Sequence, residues 1–328
     1  MIEQELTRCV ASFYPGATGV TGAAKLSGGA SQETWSFDIV HPAGTFGAIL
    51  RRSPKGYGAA PSRAAGLDAE ARLMQLAHDA GLPSPKVLHV LRPEDDLGTG
   101  FVMARVEGET IARKILRDEQ FSKARPILAR QLGKVAAGIH NLPRDQLPAL
   151  REMSSTGEIA EMGREYRGFG WPRPVFELAL RWLADHDPGP SQEVTLVHGD
   201  FRHGNLIIGA DGVRAVLDWE LAHRGDPMED LGWICVNSWR FGEIDKPVGG
   251  FGTREELLAG YQAAGRKADP ARVKFWEVMG TLRWGVMCCG MMQRFRIGPD
   301  HSMERAMIGR RASETEIDLM VLLAPRES

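Results

Sequence analysis

Residues 198–205 read HGDFRHGN, a stretch that holds two histidines, two glycines, Asp200 and Asn205. It is too polar for a buried strand and too rich in glycine for a helix. The apolar runs TLV and LII stand immediately before and after it, which predicts a loop between two short strands. The loop therefore presents a carboxylate and, five residues later, an amide side chain.

A predicted β-hairpin brings a third acceptor group to this loop. The residues ADG at 210–212 form a tight turn between the apolar runs NLIIG and VRAVLDW. Because the second strand of a hairpin runs back along the first, Asp218 is expected to approach Asn205. A carboxylate and an amide oxygen offered together suit a hard divalent cation such as Mg²⁺, and Asp200 nearby can orient a hydroxyl. Phosphoryl transfer requires this combination of an acidic residue for the nucleophile and two oxygen ligands for magnesium.

The hydrophobic pattern divides the chain into two lobes. In the first, strand-like runs surround a Gly28–Gly29 turn and one helical pattern lies at 67–81. Beyond it, apolar residues recur with a period near 3.6, which predicts several helices around the single hairpin. The sequence therefore predicts an α+β fold, with a small β-rich lobe at residues 1–104 and a larger helical lobe at residues 105–328.

The composition is that of an ordinary globular protein. The chain has 328 residues, a formal net charge of −2 and four cysteines without CxxC spacing. The longest apolar run, at 278–292, is interrupted by Arg283 and is shorter than a membrane span. Because no signal peptide is apparent, we expect a cytoplasmic protein that binds neither membranes nor nucleic acids. The oligomeric state stays open.

Several segments together resemble one enzyme family. The spacing from Asp200 to Asn205 to Asp218 is similar to that of the catalytic loop and metal-binding aspartate of protein kinases. The HGD form of the loop and the later LDWE resemble the aminoglycoside phosphotransferase and choline-kinase group of small-molecule kinases. The resemblance continues through a phosphate loop (LSGGASQETW), a third strand (ILRR), a lobe helix (AEARLM) and a hinge (GFVMARVEGE). It implies a bilobal protein-kinase-like fold with a nucleotide-binding first lobe and a catalytic, substrate-binding second lobe.

The resemblance also implies roles for individual residues. It makes Asp200 the catalytic base and makes Asn205 and Asp218 the magnesium ligands. The third strand offers Arg51 and Arg52 where the family often has lysine, and strand alternation lets only one of them face the cleft. We favour Arg51, which lies in the usual lysine register. The residues expected to contact the nucleotide or to orient its contacts are Gly28, Gly29, Ser31, Arg51, Glu70, Ala104 and Val106.

Other interpretations account for less of the pattern. His198 and Asp200 could be two ligands of a non-haem iron site, but Asn205 and Asp218 would then have no role. A catalytically inactive kinase-fold protein that binds nucleotide stays open, because arginine replaces the usual lysine. A protein kinase would need a longer segment between Asp218 and Asp230 to dock a peptide. The sequence therefore favours an ATP- and Mg²⁺-dependent small-molecule kinase, with GTP as an alternative nucleotide.

The acceptor is expected to be a hydroxylated small molecule that is not a polycation. Residues 266–311 carry ten cationic and four anionic side chains, and like charges would oppose the binding of a polycationic aminoglycoside. The segment DWELAHRGDPMEDLGW (218–233) resembles the branch of the family found as kinase-like domains fused to acyl-CoA dehydrogenases. That resemblance implies a hydroxyacyl-CoA or another anionic or neutral alcohol, and an aminoglycoside kinase is the alternative.

Overall fold

The computed structural model describes residues 2–26, 32–54, 63–298 and 302–324 of the chain. Strands dominate its first lobe. The elements of this lobe are α1 (Ile2–Phe13), β1 (Gly19–Leu26), β2 (Glu33–His41), β3 (Gly44–Ser53), α2 (Leu67–Asp79), β4 (Val87–Val90) and β5 (Thr99–Ala104). The five strands form one antiparallel sheet in the order β1-β2-β3-β5-β4. The predicted β-rich first lobe is therefore confirmed.

A second helix in this lobe corrects the prediction of a single one. Leu6, Cys9 and Val10 of α1 are buried, and they pack with sheet residues that include Phe37 and Leu50. Their spacing of three and four residues along the chain places them on one helical face. The helical signal is therefore present in the first thirteen residues, and α1 covers one face of the sheet.

The second lobe consists mainly of helices. Its elements are α3 (Ala112–Arg117), α4 (Arg125–His140), α5 (Ser155–Gly168), α6 (Pro174–Asp185), β6 (Thr195–Val197), β7 (Leu206–Gly209), β8 (Gly212–Val216), β9 (His223–Gly225), α7 (Met228–Trp233), α8 (Arg254–Ala263), α9 (Pro270–Ile297), α10 (Met303–Gly309) and α11 (Ala312–Leu323). Besides the predicted β7–β8 hairpin, β6 and β9 form a second antiparallel pair that the sequence analysis does not predict. The α+β, bilobal fold is confirmed.

The long helix α9 forms the centre of the helical lobe. It begins at Pro270 behind the N-cap Asp269, whose side chain accepts hydrogen bonds from two backbone N–H groups of the first turn. Residues such as Val278 and Leu282 are fully buried in the main hydrophobic cluster. Within the described ranges, no helix combines the length and apolarity that crossing a membrane requires.

The β7–β8 hairpin sets the distance between the two predicted metal-binding segments. Leu206 pairs with Val216 in its register, and the backbone N–H of Leu217 donates to the carbonyl of Asn205 at 2.8 Å. Asp218 is the next residue after Leu217, so the hairpin brings it close to Asn205, as the sequence predicts.

Candidate active site

A carboxylate from a neighbouring helix holds the backbone of the HGDFRHGN loop. Asp230 in α7 is fully buried, and its two oxygens accept hydrogen bonds from the backbone N–H groups of His198 (2.8 Å) and Gly199 (3.0 Å). His140 adds a bond of 3.0 Å from its ring. Burial opposes ionisation, but these bonds and the neighbouring imidazoles hold the pKa of Asp230 below its usual value. Asp230 is thus an anchor for the loop.

His198 is a structural residue of this loop. Its ring is fully buried; Nδ1 accepts a bond of 3.2 Å from the backbone N–H of Asp200, and Nε2 donates one of 3.1 Å to the carbonyl of Leu217. Burial lowers the pKa of His198, which keeps the ring neutral. Because both ring nitrogens are engaged, the non-haem iron interpretation is wrong. The ring instead connects the loop to the end of the hairpin.

Gly199 is required by the backbone at this point. Its φ is +81°, and a Cβ atom there would lie 2.4 Å from the carbonyl oxygen of Leu221. Protein kinases carry arginine at the matching place, and this loop conformation has no room for one.

Gly199→Ala is therefore expected to destabilise the protein and to lower its activity. The left-handed conformation alone costs a non-glycine residue about 1–2 kcal/mol, and the contact with Leu221 adds to that. A lower Tm in thermal unfolding checks this. The control is Gly168→Ala, because a Cβ atom at Gly168 meets nothing within 4 Å and φ is not positive. Equal Tm values for the two variants would contradict the expectation.

In the part of the chain that the structure describes, three donors surround the carboxylate of Asp200. The indole N–H of Trp233 donates to Oδ1 at 2.8 Å, and Nε of Arg202 lies 2.9 and 3.1 Å from the two oxygens. The side-chain amide of Asn205 donates to Oδ2 at 2.6 Å. The donors make four contacts, two on each oxygen, and a carboxylate offers about four lone-pair positions, so a substrate hydroxyl would share or replace one of these contacts. These donors thus hold the carboxylate in one orientation.

Asn205 and Asp218 line one cavity of about 200 Å³. The amide nitrogen of Asn205 is bonded to Asp200, whereas its carbonyl oxygen has no hydrogen-bond partner within the described ranges. Asp218 adopts a left-handed conformation with φ of 66°, which aspartate tolerates better than most residues. Its Oδ1 lies 2.8 Å from Nη2 of Arg51. An amide oxygen and a carboxylate thus face the same cavity, and these donors fit Mg²⁺.

Among the described residues, three acidic side chains surround the guanidinium of Arg51. Arg51 forms ion pairs with Glu70 (3.1 Å), Asp218 (2.8 Å) and Glu220 (3.1 Å). Burial raises the pKa of Glu70 to about 8, against the attraction of Arg51. Burial and the repulsion of Asp218 likewise raise the pKa of Glu220. A divalent cation would favour the ionised forms of these acids, so a cluster of three acidic groups around one cation fits a metal here.

The two arginines of β3 lie on opposite faces of the sheet. Arg51 lines the cavity, whereas Arg52 bonds Glu33 at 3.1 Å and the carbonyl of Leu97 at 3.4 Å. Arg52 shares its face with Leu50, which is buried against α1. Arg51 is thus the strand cation that meets the helix carboxylate Glu70.

Arg51→Gln and Arg52→Gln form a matched pair of variants. Arg51→Gln is expected to lower kcat/KM for the nucleotide by about 10- to 100-fold, the usual range for a lost charge-assisted hydrogen bond. Arg52→Gln is expected to change it by less than about threefold, because Arg52 lies on the opposite face of the sheet and does not line the cavity. Steady-state kinetics with varied nucleotide checks both. Losses of equal size would contradict the assignment of Arg51 to the cleft.

The remaining predicted nucleotide contacts lie at the hinge and in the phosphate loop. The N–H of Ala104 donates to the carbonyl of Lys86 at 2.8 Å, so it is not free for a ligand. The N–H of Val106 has no hydrogen-bond partner within the described ranges and stays available. Gly28, Gly29 and Ser31 lie outside the described residues.

A second cluster of metal-type ligands lies outside the cleft. Ligand atoms of Cys9, His89 and Asp95 all lie within 4.8 Å of one another. Burial raises the pKa of the Cys9 thiol to about 12, which disfavours the thiolate that a metal needs. His89 and Asp95 are already bonded at 2.8 Å, and Asp95 also accepts from the backbone N–H of Arg92 at 2.7 Å. Its hydrogen bonds therefore connect β4 to the loop that follows it, and Cys9 of α1 lies against them.

Sequence reasoning missed two residues that contact Asp200. Arg202 lies two positions along the same loop, and its guanidinium stacks over Trp239 at 4.9 Å. Trp233 comes from α7, 33 residues away in the chain. The residues on either side of Arg202 do not indicate that its side chain contacts Asp200. Trp233 reaches the loop only because α7 packs against it.

Together the two lobes, the cleft between them and the acidic groups define a protein-kinase-like phosphotransferase. The sequence profile of the phosphotransferase enzyme family matches residues 22–276. The chain belongs to this family, which confirms the resemblance drawn from its motifs.

Individual relatives and solved structures agree with this assignment. Acyl-CoA dehydrogenase family member 10 from Mus musculus is 31% identical over 57% of this chain and 18% of that protein. The probable acyl-CoA dehydrogenase IBR3 from Arabidopsis thaliana is 26% identical over 79% of this chain and 34% of that protein. The chain thus spans about a third or less of the length of these relatives.

Two crystal structures share the fold over nearly the whole chain. A putative aminoglycoside phosphotransferase from Ralstonia eutropha has a TM-score of 0.73 and 20% identity, and covers 97% of both chains. A choline/ethanolamine kinase family protein from Mesorhizobium loti has a TM-score of 0.65 and 20% identity, and covers 99% of this chain and 96% of its own. At this level of identity the two structures support the fold.

Proposed function

We propose that this protein transfers the γ-phosphoryl group of ATP to a hydroxyl group of a small molecule, with magnesium held by Asn205 and Asp218. The observation that carries the proposal is the hydrogen bond of 2.6 Å from the Asn205 amide to the Asp200 carboxylate. It places the residue proposed to bind the acceptor hydroxyl next to a residue proposed to bind magnesium. Asn205 in turn shares a cavity with Asp218 and Arg51. These are the parts that phosphoryl transfer uses.

In the proposed reaction, Asp200 accepts the hydrogen bond of the acceptor hydroxyl. The hydroxyl oxygen attacks the γ-phosphorus as its bond to the β–γ bridging oxygen breaks, and the hydroxyl proton passes to the Asp200 carboxylate. ADP and the phosphorylated acceptor are the products. Asp200 is 9% exposed, which limits competition from water.

Magnesium would be bound by the carbonyl oxygen of Asn205 and the carboxylate of Asp218. When bound, it would neutralise charge on the phosphates as the bond to the leaving group breaks. Arg51 would contribute a second positive charge, since its guanidinium already lies 2.8 Å from Asp218. Glu70 would hold this guanidinium through its 3.1 Å ion pair.

Nucleotide use is supported by proteins of the same fold. An aminoglycoside phosphotransferase with a TM-score of 0.65 to this chain was crystallised with AMP-PNP and hygromycin B. Here the base would bond the hinge through the free N–H of Val106 and the phosphates would reach Arg51. Gly28, Gly29 and Ser31 would cover the phosphates, and GTP remains the alternative nucleotide.

The acceptor is proposed to be an anionic or neutral alcohol, and a hydroxyacyl-CoA is one candidate because relatives are named acyl-CoA dehydrogenases. The positive field of the basic segment 266–311 is weaker than its residue count implies. Ion pairs between described residues engage at least four arginines of the basic segment; they are Arg266, Arg272, Arg283 and Arg311. Their partners reduce the field that an acceptor would meet. An aminoglycoside therefore stays the alternative acceptor, since neighbours of the same fold bind hygromycin B and spectinomycin.

An acceptor screen tests the proposal. ADP release from ATP is measured with aminoglycosides, sugars, amino alcohols and hydroxyacyl-CoAs, with Mg²⁺ and with excess EDTA, and then with GTP. We expect magnesium-dependent turnover with a neutral or anionic alcohol. Turnover with aminoglycosides alone would overturn the acceptor class. Nucleotide binding without turnover on any acceptor would instead support a catalytically inactive nucleotide-binding protein.

A further inference from the structure

We propose that Trp233 positions the catalytic carboxylate, an inference that rests on the proposed phosphoryl transfer. Its indole N–H donates a hydrogen bond of 2.8 Å to Oδ1 of Asp200. Trp233 is only 2% exposed, so water does not compete for this bond. Asp200 must direct a lone pair at the acceptor hydroxyl, and a fixed donor on Oδ1 restricts rotation of the carboxylate.

Trp233 is itself held by a buried arginine. The guanidinium of Arg283, in α9, lies over the indole ring at 4.1 Å. Its two terminal nitrogens bond Glu229 at 2.8 Å and the carbonyl of Gly199 at 3.0 Å. Arg283 thus fixes both the ring and the backbone next to Asp200, and it is a structural cation of the loop.

The other two donors to Asp200 are less suited to this task. The side chain of Arg202 is 29% exposed and charged, so it can exchange Asp200 for a phosphate or for solvent ions. The amide of Asn205 belongs to a residue that is proposed to bind the metal. The indole N–H is neutral, buried and a donor only, so it orients the carboxylate and takes no part in proton transfer.

Trp233→Phe removes the N–H group and keeps an aromatic ring for Arg283. We expect kcat with Mg²⁺–ATP and the best acceptor of the screen to fall by about 10- to 100-fold, the usual effect of losing a hydrogen bond to a charged group. KM for ATP is expected to stay within about twofold, because Trp233 does not line the nucleotide cavity. The matched control is Trp284→Phe, since the buried Nε1 of Trp284 has no hydrogen-bond partner within the described ranges.

A spectroscopic measurement detects the hydrogen bond without turnover. Protein labelled with ¹⁵N at the indole nitrogen of tryptophan contains eight such groups, and the signal lost in Trp233→Phe belongs to Trp233. This signal is expected to move in Asp200→Ala by more than the Trp284 signal. If the wild type is active and Trp233→Phe has the same kcat, the positioning role alone is overturned. The same holds if the Trp233 signal does not shift in Asp200→Ala. A wild type without turnover overturns the proposed function as well.

Discussion

Asp200→Ala is expected to abolish phosphoryl transfer while the protein stays folded and binds nucleotide. A positioned acid or base contributes about 10²- to 10⁴-fold to such reactions, so kcat should fall by at least the lower figure. The Asp200 carboxylate accepts hydrogen bonds from Trp233, Arg202 and Asn205. The variant removes this carboxylate, which is the group proposed to take the proton from the acceptor hydroxyl. Initial rates of ADP release, with nucleotide affinity from calorimetry, measure both effects.

The control for Asp200→Ala removes a carboxylate of the surface. Asp185 at the end of α6 is 54% exposed, and among the residues that the structure describes it pairs only with Arg181 four residues earlier, so Asp185→Ala should leave kcat unchanged. Retained activity in Asp200→Ala would remove Asp200 from the mechanism. Loss of nucleotide affinity together with activity would point to collapse of the loop, which thermal unfolding of the variant detects.

Asp218→Asn is expected to raise the magnesium concentration that activity requires. The maximal rate is expected to fall by at least about 100-fold, because a metal ligand contributes several kcal/mol to transition-state stabilisation. Asparagine is the appropriate replacement, since Asp218 has a positive φ of 66° that asparagine also tolerates and alanine does not. The variant therefore removes one negative charge with little backbone strain. The rate is measured as a function of magnesium concentration.

Asp211→Asn is the matched control for the metal site. Asp211 lies at the turn of the same hairpin, and its side chain is 76% exposed. It should respond to magnesium as the wild type does. A magnesium dependence of Asp218→Asn that is identical to that of the wild type would refute the metal assignment.

Short-range patterns explain why much of the site can be predicted. Asp200 and Asn205 lie in one loop, so their separation along the chain keeps them close. The ADG turn makes β8 run back along β7 towards Asn205. Strand alternation puts Arg51 and Arg52 on different faces. Each inference needs only neighbours in the chain or one hairpin, so the residue order is sufficient.

Long-range packing explains what could not be predicted. Trp233 lies 33 residues from the Asp200 carboxylate to which it donates, and Arg283 lies 84 residues from the Gly199 carbonyl to which it donates. The ion pairs of Arg266 and Arg272 likewise depend on partners in other elements, Glu193 and Asp226. Charge counted along the sequence therefore overstated the basic character of this lobe.

The polar loop and its hairpin thus define, through local spacing alone, a carboxylate, an amide and a second carboxylate suited to phosphoryl transfer. The orientation of Asp200 is a different matter, because it depends on the indole of Trp233 and on the guanidinium of Arg283 behind it. Those two side chains reach the loop only after α7 and α9 have packed in the helical core. Hydrogen bonds and ring contacts act over a few ångströms, so they follow from the folded positions of helices and not from distances along the chain.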